Sequence, residues 1–152
     1  MDIDRYDDIE ISADFKTFSF ISKGQKGDLI KLVRFLDFRP VPGSHNLALG
    51  TIRNNVIDYT ETTDNGDRDQ ILSTILHIAK IYSYAWPDQK IFIRGRNQAT
   101  TRLYRGAISH EYQEIIKEFI IYGGAYIETE NGYDFEDFIR DKQYDAFLFK
   151  RR

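Results

Sequence analysis

The chain reads as an α+β domain: a mixed, largely antiparallel sheet that opens with an N-terminal β-meander and carries about three helices. Three observations lead there. Short β-type runs separated by glycine turns fill the first third. One strongly helical period follows. Short strands and helices then alternate to the end, which calls for at least one β-helix-β crossover. Tyr and Phe number 10 and 11 against a single Met and a single Trp, and such ring-rich composition suits pleated surfaces.

Phe18-Ser19-Phe20-Ile21 and Leu29 to Phe35 flank Lys23-Gly24-Gln25-Lys26-Gly27, a hairpin pattern. Pro40-Val41-Pro42-Gly43 breaks it. A third strand is expected over 45–52 and a fourth over 56–60. Asp64-Asn65-Gly66-Asp67 is a turn into a helix, with Asp67 as cap and Gln70 three residues on, a variant of the capping box. Ile71, Leu72, Ile75, Ile78, Ala79 and Tyr82 recur at helical spacing until Trp86-Pro87. Lys90 to Arg94 reads as a short buried strand ending at Gly95. Asn97 caps a second helix with Leu103, Tyr104, Ala107 and Ile108 on its apolar side. A third starts at Ser109 or His110, with Tyr112, Ile115, Ile116 and Phe119 inward. Ile120-Ile121-Tyr122 fits a helix end or a new strand. Ala125 to Thr129 reads as a strand before the Asn131-Gly132 turn, Phe135 to Ile139 as a helical turn, and Tyr144 to Lys150 as the closing strand.

At 152 residues, with 41% hydrophobic residues, the chain has the size and apolar content of one domain over 1–152. Residues 1–8 are acidic and polar and are expected to be a flexible lead. They hold neither a basic nor an apolar segment of a signal peptide, and no apolar run reaches membrane-spanning length, so a cytoplasmic protein is expected. With no cysteine, disulfides, thiolate catalysis and cysteine-ligated metals are excluded. A net charge of −3 gives no general footprint for nucleic acid.

Three stretches taken together resemble a known group: Asp64-Asn65-Gly66-Asp67 running into the helix through Ile78, Thr101-Arg102-Leu103-Tyr104-Arg105, and Tyr144-Asp145-Ala146-Phe147-Leu148 ending in basic residues. In that order they are similar to an uncharacterised family, a domain of unknown function, of short bacterial proteins, mainly from Bacteroidetes. The resemblance implies a compact domain of a bacterial cytoplasm and brings no activity, cofactor or catalytic residue with it.

The chemistry-bearing segment is the strand-to-helix turn around Gly95. The free N–H groups of a helix's first turn and its positive dipole end favour an anion. Arg94, Arg96, Arg102 and Arg105 supply guanidiniums, whose forked donors fit phosphate oxygens, and Thr100 and Thr101 supply hydroxyls. Gly95 and Asn97 complete the candidate ligand-binding set. Thr101 and Arg105, four apart, share a helix face, with Arg102 partly to the side. The plainer alternative is a solvated helix whose arginines pair with the chain's many carboxylates.

Asn97, Thr100, Leu103 and Tyr104 after a strand are also similar to an Asn-x-x-Ala-x-x-Leu-Tyr segment of the acetyltransferases that use acetyl-coenzyme A. That likeness implies Tyr104 as general acid toward the departing thiolate and coenzyme A as cofactor. The sequence departs from the pattern: Thr100 stands for the Ala, and the turn before the first long helix is acidic and lacks the Arg/Gln-x-x-Gly-x-Gly/Ala signature, so it would repel a pyrophosphate.

His45, His77 and His110 lie far apart, outside any ligand spacing, so no metal site is expected. No Gly-x-Ser-x-Gly elbow is present, and Gly24-Gln25-Lys26-Gly27 lacks the rest of a P-loop. Asp7-Asp8 and Glu128 with Glu130 read as solvated carboxylates. Tyr82, Tyr84 and Trp86 read as half-buried packing at a helix end or an aromatic patch for a partner. Two function classes remain. One is a non-enzymatic binding or regulatory module without a cofactor, holding a partner protein or a phosphate-bearing ligand. The other is an enzyme acting on a nucleotide, RNA or acyl-coenzyme A through the same turn. The first is favoured because every strong catalytic signature is missing.

Overall fold

The structure, a computed structural model, describes residues 5–59 and 65–152. They fall into two compact units: residues 5–36, 47–59 and 65–85 in one, Asp37–Asn46 and Trp86–Arg152 in the other. Among the described residues the fold is α+β, with nine strands in a mixed, mostly antiparallel arrangement and three α-helices.

The first unit is the expected meander with the long helix. Strand β1 (Glu10–Ile11) pairs antiparallel with β2 (Thr17–Gly24), and β2 with β3 (Gly27–Asp37). Gly24 faces Gly27, so Gln25 and Lys26 alone form the turn. Strand β4 (Ser44–Arg53) follows β3 in strand order and folds back on β5 (Val56–Asp58). Asn54 and Asn55 make that second turn at φ 50° and 63°, the left-handed pair a tight hairpin needs and asparagine tolerates. The fourth strand thus stops at Asp58; Thr60 lies outside the described residues.

Helix α1 (Arg68–Ala85) buries Ile71, Thr74, Ile75, Ile78, Ala79 and Tyr82 on one 3.6-residue stripe and also buries Ser73 and Ser83, while Leu72, expected with the inward set, is half-buried. Tyr82 is fully buried and stacks on Phe35 of β3 with ring centroids 3.8 Å apart. It is core, which removes it from the aromatic patch considered above. Asp67 stands at the expected N-terminal position, its carbonyl accepting from Ile71 N–H at 2.9 Å. Its carboxylate Oδ2, however, accepts from the hydroxyls of Ser22 and Tyr6. Within the segment expected to be a flexible lead, Tyr6 is held further by its N–H donating to Thr74 Oγ1 at 2.9 Å. Residues 1–4 of that segment, and Asp64 of the turn before α1, lie outside the described residues.

The second unit positions the candidate site. Its strands run in the order β4, β6 (Lys90–Ile93), β9 (Ala146–Arg151), β7 (Phe119–Ile127), β8 (Gly132–Asp137). The β4 and β6 segments are parallel, and the remaining pairs are antiparallel. Register sorts the side chains. Phe92 faces Leu148, which faces Tyr122, and on that face Phe92, Ala146 and Leu148 gather Phe38, Val41, Tyr133 and Phe135. On the other, Ile91, Phe149 and Ile121 line up, then Ile93, Phe147 and Gly123. Both faces of β6 and β9 are buried, which explains why these strands read as continuous apolar runs. Burying each such side chain contributes about 1.5–3 kcal/mol.

Helix α2 (Gln98–His110) runs through Ser109 and His110, where a third helix was expected to begin. Helix α3 is one turn, Tyr112–Ile115, and Phe119, expected inward on a helix, opens β7 instead. Phe135 to Asp137, expected as a helical turn, belong to β8, and Tyr144 precedes the closing strand rather than starting it. No helix among the described residues is long and apolar enough to cross a membrane.

Candidate functional site

Strand β6 ends at Ile93, and the chain turns through Arg94, Gly95 and Arg96 into α2. Gly95 is compelled by proximity. A Cβ there would sit 2.2 Å from Thr101 N and 2.6 Å from the Thr100 carbonyl carbon, so only glycine lets the turn lie against the helix start. Its N–H donates to Thr101 Oγ1 at 3.0 Å, and that hydroxyl donates to the Asn97 carbonyl at 3.0 Å. Asn97 caps α2 as expected, its Oδ1 accepting from Thr100 N–H at 2.9 Å and Thr100 Oγ1 at 3.1 Å. Both threonine hydroxyls and the N–H groups of Gly95, Thr100 and Thr101 are thus engaged within the turn.

Beside this turn lies a cavity of about 200 Å³. One wall comes from α2: Gln98, Thr101, Arg102 and Arg105. These positions are i, i+3, i+4 and i+7, one helical stripe, so Arg102 shares the face of Thr101 and Arg105 rather than lying aside. Arg94 and Gly95 join from the end of β6 and Asn97 from the cap. The opposite wall comes from the β7–β8 hairpin and the entry to β9: Tyr126, Tyr133, Tyr144, Gln143 and Asp145. The candidate set therefore converges except for Arg96 and Thr100, which do not line the cavity. Tyr104 does not line it either; it is half-buried, and burial pushes its hydroxyl up to about 12.

The arginines differ in engagement. Arg94 Nη1 donates to Tyr133 Oη at 2.7 Å, and its guanidinium lies 5.9 Å from the Phe38 ring centroid. Arg102 and Arg105 form no hydrogen bond or ion pair among the described residues. Neither guanidinium of the helical wall has a carboxylate partner among the described residues. Three guanidiniums face one carboxylate, Asp145, whose Oδ2 accepts from Tyr126 N–H at 2.8 Å.

Tyr144 reaches the cavity because Gly123 leaves room for it: a Cβ on Gly123 would meet the Tyr144 ring at 2.4 Å. Its hydroxyl donates to Glu136 Oε2 at 2.8 Å and accepts from Ile139 N–H at 3.1 Å. Burial, then the Glu136 contact, raises the Tyr144 hydroxyl, while the hydrogen bonds from Lys142 and then Tyr144 hold the Glu136 carboxyl below its ordinary value. A depressed carboxyl adds stability above its unfolded pKa, and that contribution disappears as pH falls through the folded one. Accordingly, the Tm advantage of wild type over Glu136→Gln should be present at pH 7 and shrink progressively as pH falls below the ordinary carboxyl range. An advantage that stays constant down a pH series of circular dichroism melts, as long as the wild type still folds, would refute the assignment.

Among the described residues no three histidine or acidic side chains gather in a way that would hold a metal ion. Burial lowers His77, helped by the nearby positive charges of Arg5 and Lys80. His110 Nε2 lies 3.6 Å from Glu111 Oε1.

The fold and cavity define an α+β protein with an arginine-lined pocket at the end of a strand. The chain belongs to the family described as Family of unknown function (DUF6934), whose model matches residues 2–152. No curated protein and no solved structure matches it.

Proposed function

We propose that this chain is a non-enzymatic binding module of the bacterial cytoplasm that holds a small phosphate-bearing ligand in the cavity beside Gly95. The observation that carries the reading is the pair Arg102 and Arg105, on one helical stripe of the cavity wall, without an acidic partner among the described residues. Guanidiniums that outnumber the one carboxylate in the same cavity raise the local potential and give an anion forked donors. The first turn of α2 adds its positive dipole end in the same place. The cavity, about 200 Å³, has room for a phosphate group, and Tyr126 of its lining is exposed, so a larger group attached to that phosphate is not confined to it.

Inorganic phosphate should raise the Tm of the wild-type protein in a concentration-dependent way, by mass action on the folded state. Replacing both arginines, Arg102→Ala with Arg105→Ala, should abolish that rise while leaving the ligand-free Tm within a few degrees, because neither side chain makes a hydrogen bond or ion pair among the described residues. A phosphate-induced rise that survives the double substitution would refute the site.

A further inference from the structure

We infer that the ligand is a nucleoside monophosphate whose base carries an amino group, its phosphate on the α2 wall and its base against Tyr126 and Asp145. The inference rests on the anion reading above and draws on the wall opposite the arginines. Tyr126 is 42% exposed, yet its hydroxyl donates to Asn131 Oδ1 at 3.0 Å. Its open surface is therefore the ring. Tyr133, directly across the β7–β8 pair, has its centroid 5.4 Å from that of Tyr126 and is backed by Phe92 at 5.0 Å. The platform is thus braced from the core, and an aromatic face of this kind takes a planar ring by stacking, whatever its sequence identity.

Hydrogen-bond polarity adds the second element. Asp145 is fixed beside the platform because its Oδ2 accepts from the Tyr126 N–H itself, while its N–H donates to the Gly124 carbonyl at 2.8 Å. Its Oδ1 has no partner among the described residues. A fixed carboxylate oxygen at the edge of a stacking surface accepts from an exocyclic amino group, as acidic side chains accept from the cytosine amine, and disfavours a carbonyl at the same place. The same carboxylate would repel a phosphate, so the anionic end points away from it, toward Arg102 and Arg105. One wall is cationic, the other aromatic with an acceptor, and a ligand with an acidic end and an amino-bearing ring satisfies both.

Cytidine and uridine monophosphate form a matched pair of probes, since they differ at the base chiefly in an amino group against a carbonyl. Isothermal titration of the full chain should give a Kd for cytidine monophosphate about tenfold below that for uridine monophosphate. Both should bind more tightly than inorganic phosphate. Asp145→Asn should erase the preference between the two bases, and Tyr126→Ala should bring both nucleotides down to the phosphate level, each variant melting as a folded protein. Equal affinity for the two nucleotides in wild type would overturn the amino-group assignment. Nucleotide affinities no better than phosphate, with phosphate binding still dependent on Arg102 and Arg105, would overturn the ring assignment and leave the anion site standing. No binding of phosphate or either nucleotide would overturn both readings.

Discussion

Gly95→Ala should destabilise the protein by about 3 kcal/mol and abolish phosphate binding together. The added methyl would lie 2.2 Å from Thr101 N, 2.6 Å from the Thr100 carbonyl carbon and 2.7 Å from Thr101 Oγ1. Two of these are main-chain atoms of the first helical turn, which no rotamer change can move aside. Overpacking of this kind costs about 1–3 kcal/mol, and displacing the turn also breaks the Gly95 N–H to Thr101 bond, worth about 0.5–1.5 kcal/mol. The functional consequence follows from the same displacement. Thr101, Arg102 and Arg105 are fixed by α2, while Arg94 is fixed by β6, and Gly95 sets the distance between them. Urea denaturation gives the first quantity and phosphate-dependent melting the second. An alanine variant that loses under 1 kcal/mol and keeps the phosphate response would show that the turn does not depend on the close approach.

Phe92→Ala should cost more, about 3–5 kcal/mol, the range for emptying a buried aromatic position. Phe92 is 0% exposed, stacks on Phe38 at 4.2 Å and meets Tyr133 edge-on at 5.0 Å. It lies on β6, both faces of which are buried, so no neighbour can collapse into the gap without breaking the strand's own packing. The cavity should suffer as well, since Tyr133 loses its backing and with it the fixed position of its bond to Arg94. The urea midpoint measures the stability loss. A loss below 2 kcal/mol would mean that this layer repacks and that the aromatic wall is not braced by the core.

Some of this was legible in the sequence because the signal is local. The stripe Ile71, Ile75, Ile78 and Tyr82 is periodic enough that α1 has no competing reading. Asn97 before Thr100 gave the cap of α2 because the bond spans three residues. The region after α2 misled for an equally local reason. Ile108, Tyr112, Ile115 and Phe119 keep helical spacing, but β7 pairs with β9, and Ile120-Ile121-Tyr122 takes its conformation from that remote partner. Phe135 and Phe138 are three apart, as on a helix, yet Phe135 lies over Gly124 of β7 and is extended.

The cavity divides in the same way. Its helical wall follows from the i, i+3, i+4, i+7 spacing of Gln98, Thr101, Arg102 and Arg105. Arg96 and Thr100 are just as close in sequence but do not line it, a distinction set by the turn at Gly95. The facing wall was missed because it exists only once β9 inserts between β6 and β7, bringing Asp145 and Tyr126 beside residues far away in the chain. The one available hint was the placement of Tyr126 and Tyr133 on either side of the Asn131-Gly132 turn, where a hairpin makes them cross-strand neighbours.

The proposed occupant of the space between the α2 stripe and the end of β6 is an oxyanion. Tungstate, a heavy tetrahedral oxyanion, reports this directly through anomalous diffraction from crystals of the full chain soaked in it. A peak within hydrogen-bonding reach of the Arg102 and Arg105 guanidiniums, absent from crystals of the double alanine variant, is the expected result. Tungstate bound at other surfaces while the cavity carries no anomalous density would contradict it.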